Sequence, residues 1–264
     1  MIIVHLADLH LGYRAYSRTN AAGVNQREAD VAAAFNAAVE RIPAIAPDLV
    51  VIAGDLFHSV RPSNGAIAVA FRGLSRLAAA VPGLPIILVA GDRETPRASD
   101  TASILELFRE IPGVFVVTDR VETIELPELG AEVVAAPHAA LATGYASAPR
   151  SGHGDISRIL VAHGMVEGAL MADSAYAPDG GAIIPAELLE LEAWDYVALG
   201  HLPVATVLEP HIRYAGSLER TSGHPWDEAG VKKGFVAFDT RSGAAEFHEI
   251  PTRPVLDLPP ISAR

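Results

Sequence analysis

The residues of this sequence best suited to metal chemistry are aspartates and histidines that follow predicted strands. Asp8 and His10 come after the apolar residues 2–6, and their spacing of two aims both side chains the same way at a strand end. Asp55 and Asp92 follow two further apolar runs, each directly after a glycine that permits a sharp turn. Carboxylate and imidazole groups side by side are a good start for a metal site.

Two histidines extend the pattern to further strand ends. His163 follows the apolar residues 159–162, and His201 follows residues 197–199 and a glycine. Ligands bind at the carboxyl ends of the strands in α/β sheets. Each residue alone reads as an ordinary polar turn residue, but Asp and His at five strand ends together predict a two-metal site. Such donors suit manganese, iron, zinc or cobalt rather than calcium.

Composition excludes several classes of protein. The chain has 264 residues, enough for one large or two small domains, and its formal net charge of −12 argues against a general nucleic-acid coat. It has no Cys, which excludes disulfides, a thiolate nucleophile and Cys-ligated zinc. No apolar run approaches the ~18 residues that span a membrane. The sequence starts directly with a strand pattern, so we expect a cytoplasmic protein without membrane contact.

Short apolar strands alternate with amphipathic helical stretches, as in an α/β domain. The first half reads β-α-β-α-β, and the second half is richer in strands. Residues 114–136 read as three strands in antiparallel succession. This predicts two packed sheets with helices outside, the alternative being a single parallel sheet with a β appendage. We predict helices at 28–42, 62–80, 101–110 and 185–191, a loop at 139–154 and an irregular segment at 166–181.

Taken in order, these motifs resemble those of the calcineurin-like metallophosphoesterases. Within that family they are similar to the SbcD-type nuclease subunit of the bacterial SbcC–SbcD complex and its archaeal and eukaryotic double-strand-break-repair counterparts. The stretches that carry the resemblance are HLADLHLGYR (5–14), VVIAGDLFHSVRPSN (50–64), AHGMVEG (162–168), DYVALGH (195–201), YAGSLERTS (214–222) and RPVLDLPP (253–260).

The resemblance implies a fold and an assembly. The fold is an α/β four-layer α-β-β-α sandwich of two mixed sheets flanked by helices, with residues 1–250 as the catalytic domain. Residues 251–264 would form a linker toward a capping domain that is missing or truncated. The implied function is that of a metal-dependent DNA exonuclease subunit in repair. Its implied partners are DNA ends or single strands, an SbcC-like coiled-coil ABC ATPase and a possible second copy of the chain.

The resemblance also implies roles for individual residues. It assigns two divalent ions, most simply manganese, to two ligand sets that share Asp55. His58 would face the substrate phosphate, with Arg93 as its catalytic neighbour, and Arg14 and Arg61 would bind substrate. The first ion would be held by Asp8, His10 and Asp55, and the second by Asp55, Asp92, His163 and His201.

Two departures from the family pattern bear on catalysis. The family's G-N-H-D/E is here Gly91 to Glu94, so Asp92 replaces an asparagine and Arg93 replaces the proton-donating histidine. A guanidinium does not give up its proton at useful pH, although it can neutralise phosphate charge. Pro203 stands where the family has a second histidine ligand. The first metal therefore loses one protein ligand.

The departures leave three functions open. The first is a DNA phosphodiesterase of weakened activity, paired with an SbcC-like ATPase. The second is a catalytically degenerate homologue that binds DNA ends or a partner. The third is a phosphoesterase retooled for a small phosphoester.

Overall fold

Two six-stranded sheets form the centre of the protein. The computed structural model describes residues 1–96, 101–144, 156–167, 181–189, 194–223 and 225–256. None of the described helices is long and apolar enough to cross a membrane. The strands are β1 (Ile2–Leu6), β2 (Leu49–Ala53), β3 (Ile86–Val89), β4 (Val114–Val117), β5 (Glu122–Leu126), β6 (Ala131–Ala136), β7 (Ser157–His163), β8 (Met165–Val166), β9 (Ile183–Ile184), β10 (Tyr196–Gly200), β11 (Thr206–Glu209), β12 (Ile212–Tyr214), β13 (Gly234–Asp239) and β14 (Ala244–Glu249).

Both sheets are mixed. The first has the order β14-β13-β1-β2-β3-β4, in which β1 to β4 are parallel and β13 and β14 are antiparallel. The second has the order β11-β12-β10-β7-β6-β5, with a parallel centre of β6, β7, β10 and β12. A short parallel pair, β8 and β9, lies apart from both sheets. The parallel strands of each sheet present their carboxyl ends at one edge, which is where the site lies.

Two long helices follow from clear local signals. Helix α1 (Gln26–Ile45) is capped by Asn25, whose side chain accepts hydrogen bonds from two backbone amides of the first turn. Helix α2 (Asn64–Ala80) is capped in the same way by Ser63. Both helices bury an apolar face against the first sheet, in a core that includes Phe35 and Leu74.

Three apolar cores define four layers. One lies between α1, α2 and the first sheet, and a second lies between the sheets, where Tyr196 stacks on Phe238 with ring centroids 4.3 Å apart. The third covers the outer face of the second sheet and includes Leu141 of the short helix α3 (His138–Ala142) and Trp194. The predicted α-β-β-α sandwich of two mixed sheets is confirmed, and the alternative of a single parallel sheet is wrong.

The prediction of three successive antiparallel strands at 114–136 is wrong. β4 pairs in parallel with β3 at the edge of the first sheet, whereas β5 and β6 form an antiparallel pair in the second. The chain therefore changes sheets between β4 and β5. Strand patterns in sequence give no pairing partner, and the short β4–β5 connection looks like a hairpin.

Other predicted elements differ in extent or type. The helix predicted at 101–110 is a 3₁₀ helix over Ile104–Glu110, and that predicted at 185–191 is a 3₁₀ helix over Ala186–Leu189. The predicted loop 139–154 begins inside α3, and the predicted irregular segment 166–181 begins at the end of β8. The remaining parts of these predictions, at 145–154, 168–180 and 190–191, lie outside the described residues. So do residues 257–264 of the predicted linker, whose assignment remains a prediction.

Candidate metal centre

The backbone is strained where the site residues leave their strands. Asp8, His10 and Asp55 have φ angles of 53°, 47° and 54°, and His201 has a φ of 111°. These are left-handed conformations, which side-chain-bearing residues adopt only when the surrounding structure enforces them. Two backbone hydrogen bonds do so here, since the amides of Asp8 and His10 donate to the carbonyls of Gly54 and Asp55 at 3.1 and 2.9 Å. These hydrogen bonds therefore hold the backbone of the segments after β1 and β2 in place against each other.

Close approach requires glycine at two of these turns. A Cβ at position 54 would lie 2.1 Å from Nδ1 of His163, and a Cβ at position 91 would lie 2.1 Å from Oδ1 of Asp55. Both distances are far inside van der Waals contact. The two glycines before Asp55 and Asp92 therefore make room for the site's own side chains.

Glu94 is a fully buried carboxylate that ties the strand ends together. It accepts hydrogen bonds from the amides of Asp55, Phe57 and Gly91 at 3.1, 2.6 and 3.0 Å. Burial raises the pKa of Glu94 to about 7, although these hydrogen bonds oppose the shift. Because its partners are backbone amides, its role is to hold the turns after β2 and β3 in place.

One half of the cluster is built from Asp92, His163 and His201. Asp92 Oδ1 lies 3.1 Å from His163 Nε2 and 3.3 Å from His201 Nδ1. His163 Nδ1 lies 2.8 Å from the carbonyl oxygen of Ala53, so it donates its proton there and Nε2 faces the carboxylates. Donor atoms of these three residues lie within 4.8 Å of one another.

The other half contains Asp8, His10 and Asp55. Donor atoms of Asp8, Asp55 and His163 also lie within 4.8 Å of one another, so Asp55 and His163 connect the halves. Asp8 accepts hydrogen bonds from the amide of His201 at 3.0 and 3.2 Å. His10 Nδ1 lies 3.7 Å from Asp55 Oδ2. The structure thus brings all six predicted ligands to one place.

The titratable groups of the cluster are strongly perturbed. Burial raises the pKa of Asp55 well above its usual value, and burial also lowers the pKa of His10 well below its usual value. Burial opposes protonation of His163, but the neighbouring charges of Asp55, Asp92 and Asp8 raise its pKa to about 10. Burial likewise opposes ionisation of Asp92, yet hydrogen bonds from His163 and His201 lower its pKa far below the usual range. Opposed shifts of this size among touching groups are typical of functional sites.

The residues present fit divalent metal ions. Nδ1 of His10 is buried without a hydrogen-bond partner among the described residues, although it faces a carboxylate. A buried nitrogen of this kind needs a partner, and a cation between it and Asp55 would supply one. Carboxylate and imidazole donors within a few ångströms match borderline divalent ions.

Two further predicted residues border the cluster. The amide of Arg93 donates to Asp55 Oδ1 at 3.0 Å, and its half-exposed guanidinium lies 3.3 Å from Asp92 Oδ2. The ring of His58 packs edge-on against His10, with centroids 5.2 Å apart. Burial and the charge of Arg93 lower the pKa of His58, so its ring is neutral near pH 7.

The two predicted substrate-binding arginines lie away from the ligand contacts. Arg14 is largely exposed and its Nε donates to Glu28 at 2.7 Å, at the start of α1. Arg61 is exposed in the loop before α2. Within the described ranges, neither forms a hydrogen bond or ion pair with the six clustered residues.

Pro203 occupies the position that resembles a ligand position of the family. Its carbonyl accepts hydrogen bonds from the amide of Ser217 at 3.1 Å and from Lys233 Nζ at 2.7 Å. Lys233 is itself buried and paired with Glu228. The backbone after β10 is therefore firmly held although its side chain offers no metal donor.

Sequence reasoning assigned no role to Glu94 or His138. Glu94 belonged to a recognised motif, but a buried carboxylate that accepts three backbone amides is visible only in the fold. His138 follows β6 directly, and its ring contacts that of His163 with centroids 6.5 Å apart. The signal that pointed to His163, a histidine after a strand, was present there too, but the residues around it read as a loop.

The fold and this cluster define a class of protein. The family model described as "Calcineurin-like phosphoesterase" matches residues 1–236. The chain therefore belongs to the calcineurin-like metallophosphoesterases, a family of metal-dependent enzymes, and the prediction of that family is confirmed.

Curated relatives point to a narrower group over part of the chain. A protein of Methanococcus maripaludis named DNA double-strand break repair protein Mre11 is 35% identical over 118 residues, which cover 45% of this chain and 30% of that protein. The protein of the same name from Methanocaldococcus jannaschii is 34% identical over 110 residues, which cover 42% of this chain and 28% of that protein. The matches thus span under a third of the length of these relatives.

Two solved structures share the fold at low sequence identity. The protein TT1561 of Thermus thermophilus aligns with a TM-score of 0.51 at 12% identity, covering 95% of this chain and 99% of that one. The purple acid phosphatase PPD1 of yellow lupin aligns with a TM-score of 0.50 at 11% identity, covering 94% of this chain and 52% of that one. These likenesses concern the fold alone.

Proposed function

We propose that this protein is a metal-dependent phosphodiesterase of the SbcD and Mre11 type, acting in DNA repair, whose own activity on unactivated DNA is weakened. The observation that carries the proposal is the convergence of Asp8, His10, Asp55, Asp92, His163 and His201 at one edge of the two sheets. This donor set suits a pair of divalent ions, with manganese the first candidate and iron, zinc or cobalt the alternatives. Asp55 lies between the two halves, as a bridging ligand requires.

The chain's own residues have separable roles in this proposal. Bound divalent ions would polarise the phosphoryl oxygens and lower the pKa of a water molecule. Glu94 and the strained turns hold the carboxylates in place before any ligand arrives. His58, neutral and half-buried beside His10, faces the substrate phosphate, and the guanidinium of Arg93 neutralises phosphate charge. Arg14 and Arg61 are exposed and are assigned to more distant phosphates.

Arg93 and Pro203 are the basis for the weakened activity. A positioned acid that protonates the leaving group is typically worth roughly 10²- to 10⁴-fold in rate, and Arg93 cannot supply that proton. Pro203 leaves the Asp8 and His10 half without its fourth protein ligand. These two features also favour a second candidate, a phosphoesterase retooled for a small phosphoester whose leaving group needs no acid.

The biological setting is part of the same proposal. The names of the matched relatives support action at DNA ends or single strands in repair. We propose an SbcC-like coiled-coil ABC ATPase as the partner, with a homodimer as the assembly and the cytoplasm as the compartment. Residues 1–250 would serve as the catalytic domain and residues 251–264 as the linker to a capping domain.

The experiment compares an activated ester with DNA. We expect measurable manganese-dependent hydrolysis of bis(4-nitrophenyl) phosphate, because its phenolate leaves without protonation, and little or no cleavage of linear or single-stranded DNA. EDTA and the variant His163→Ala should abolish hydrolysis of the ester.

Each other outcome selects a different function. Brisk cleavage of DNA ends with manganese would contradict the argument from Arg93 and Pro203. His58 would then be the first candidate for the roles of the two histidines that the family has at these positions. If neither substrate is hydrolysed although metal is bound, the chain is a binding homologue.

A further inference from the structure

A groove lined by arginines and aromatic rings lies beside the metal centre. It encloses about 400 Å³ between the loop after β1, the start of α1 and the segments at 225–226 and 253–256. Among the described residues its lining includes four arginines and no Asp or Glu, in a chain whose net charge is −12. We name it the arginine groove, and its arginines are Arg18, Arg27, Arg220 and Arg253.

Three of these arginines are held in fixed positions. Arg27 pairs with Asp30 at 2.9 Å and donates to the carbonyl of Arg220 at 2.7 Å. Arg253 makes two hydrogen bonds to Asp30 at 2.7 and 2.8 Å. Glu219 pairs with Arg27 at 3.3 Å and with Arg220 at 3.9 Å. Asp30 and Glu219 are not part of the groove lining, so acidic groups behind the groove hold these arginines and neutralise part of their charge. Arg27 and Arg220 are buried and bonded to protein partners, so the exposed arginines that can meet a phosphate are Arg18 and Arg253.

Aromatic rings supply the apolar part of the arginine groove. Tyr16 is 69% exposed and Trp226 is 50% exposed, which is unusual for large aromatic side chains. Tyr16 also has a φ of 60°, and its carbonyl accepts a hydrogen bond from Asn25 Nδ2 at 2.9 Å, which fixes the turn that presents the ring. Cationic groups interleaved with exposed aromatic rings are the signature of surfaces that bind single-stranded nucleic acid by stacking.

The groove adjoins the metal centre through Tyr13. Tyr13 lines it and packs edge-on against His58 with centroids 4.9 Å apart, and His58 packs in the same way against His10 at 5.2 Å. Two ring contacts therefore connect the groove to a predicted ligand. A strand whose phosphate lies at the metal centre would place its neighbouring nucleosides in the groove.

We infer that the arginine groove binds the single-stranded DNA next to the phosphate at the metal centre, with bases stacked on Tyr16 and Trp226 and phosphates on Arg18 and Arg253. The inference rests on the proposed function only for the position of that phosphate. Binding can therefore be measured separately from catalysis, in EDTA.

The test uses fluorescence anisotropy of a labelled ten-residue oligothymidylate and of an abasic strand of the same length. We expect Tyr16→Ala and Trp226→Ala each to weaken binding of the oligothymidylate about 5- to 150-fold, the value of one stacked base. Binding of the abasic strand should barely change in the same variants. Arg18→Ala should lower the slope of log affinity against log salt by about 0.7.

The chain offers matched controls. Arg120 is an exposed arginine whose partner Glu122 lies on β5, so Arg120→Ala should leave affinity and salt slope unchanged. The two tryptophans give a readout in the unaltered protein, because Trp194 is buried and donates to Leu188 O at 2.8 Å while Trp226 is exposed. Oligothymidylate should quench the emission of the wild-type chain, and Trp226→Phe should remove the quenching but keep the affinity.

Several results would overturn the inference. Equal binding of oligothymidylate and abasic strand, or equal weakening by Arg120→Ala, would show that the affinity is diffuse electrostatics. Absence of binding would show that the groove does not take single-stranded DNA. Neither result touches the ester hydrolysis on which the proposed function depends. If the ester is not hydrolysed but stacking is still observed, the proposed function is wrong while the inference about the groove holds.

Discussion

The two halves of the metal centre differ in completeness. Around Asp92, His163 and His201 the donor atoms already lie 3.1 to 3.3 Å apart, and His163 is oriented by the carbonyl of Ala53. Around Asp8 and His10 the contacts are longer, with 3.7 Å from His10 Nδ1 to Asp55 Oδ2. Pro203 stands where the resemblance to the family predicts a further ligand. The half formed by Asp92, His163 and His201 is thus a preformed site. The half that contains Asp8 and His10 needs an ion to give the buried nitrogen of His10 a partner.

The two halves differ in their side chains rather than in the order of their backbone. The segment around Pro203 is not loose, because Lys233 and Ser217 hold its carbonyl. The side chain of Pro203 offers no metal donor although its backbone is firmly held. Arg93 in turn places a fixed positive charge beside Asp92 and Asp55, where it relieves part of the carboxylate repulsion. Experiments on Asp55, Arg93, Pro203 and the two histidine sets can test whether the two halves differ in this way.

The largest effect is expected where the halves meet. Asp55→Asn should remove the shared carboxylate from both metal sites and reduce manganese-dependent ester hydrolysis at least about 10³-fold. Burial raises the pKa of Asp55, so its charge is costly in the absence of metal. The melting temperature of this variant in EDTA should therefore not fall. Steady-state kinetics and thermal denaturation measure the two quantities.

The control is an aspartate of the same type outside the site. Asp119 is exposed after β4, so Asp119→Asn should keep full activity. A large loss of stability in Asp55→Asn, matching its loss of activity, would mean that Asp55 acts as a structural group instead.

Much of this comparison was accessible from sequence. The Asp and His residues at five strand ends predicted a shared cluster, since parallel strands present their carboxyl ends at one edge. The missing donor at Pro203 was equally visible, because proline carries no ligand atom. The helices α1 and α2 were predicted from apolar periodicity.

The remainder depends on contacts distant in the chain. β4 and β5 are close in sequence but belong to different sheets. No residue pattern within 114–126 indicates that the chain changes sheets there. The positive φ of Asp8 and Asp55 is imposed by hydrogen bonds between two strand ends, whereas sequence propensity would reserve such angles for glycine. Arg14 and Arg61 were assigned to substrate, and the pairing of Arg14 with Glu28 emerges only in the fold.

The second prediction concerns the acid and the ligand that the resemblance to the family predicts at positions 93 and 203. Replacing Arg93 and Pro203 together by histidine should raise DNA cleavage roughly 10²-fold, because it returns an acid and a ligand. Hydrolysis of the nitrophenyl ester should change much less, since its leaving group needs no proton. The half-buried position of Pro203 and its anchored carbonyl favour acceptance of the new side chain. Release of acid-soluble DNA fragments measures the gain.

The single replacements are the matched controls. Arg93→His alone should improve DNA cleavage only at saturating manganese, and Pro203→His alone should lower the manganese concentration required. If the double replacement stays inactive on DNA although both ions are bound, the weakened activity has another cause.

The third prediction concerns metal affinity. His201→Ala removes a donor from the preformed half and should weaken the tighter manganese site at least about 10-fold. His10→Ala should leave that site intact and affect only the weaker one. Isothermal titration, checked by elemental analysis of the bound metal, resolves the two sites. Two equally tight sites in the wild-type chain, or occupancy confined to the Asp8 and His10 half, would contradict the comparison.

The smallest effect is a pH dependence of the metal-free protein. The carboxylates around His163 raise its pKa from 6.5 to about 10 against the effect of burial, so in the folded state the protonated ring is favoured. A raised pKa contributes stability that is fully present below pH 6.5 and is lost as the pH rises through 10. In EDTA the melting temperature should therefore fall between pH 6.5 and about 10 more steeply for the wild type than for His163→Gln.

Metal binding should remove this dependence. An imidazole that ligates an ion carries no proton at the ligating nitrogen, so manganese must displace the proton of His163. Titrations at about pH 8 in buffers of different ionisation enthalpy should report release of at least about one proton per chain on filling the preformed half. Equal slopes of melting temperature against pH for wild type and His163→Gln, with no proton release, would mean that the carboxylates of that half are neutralised without His163.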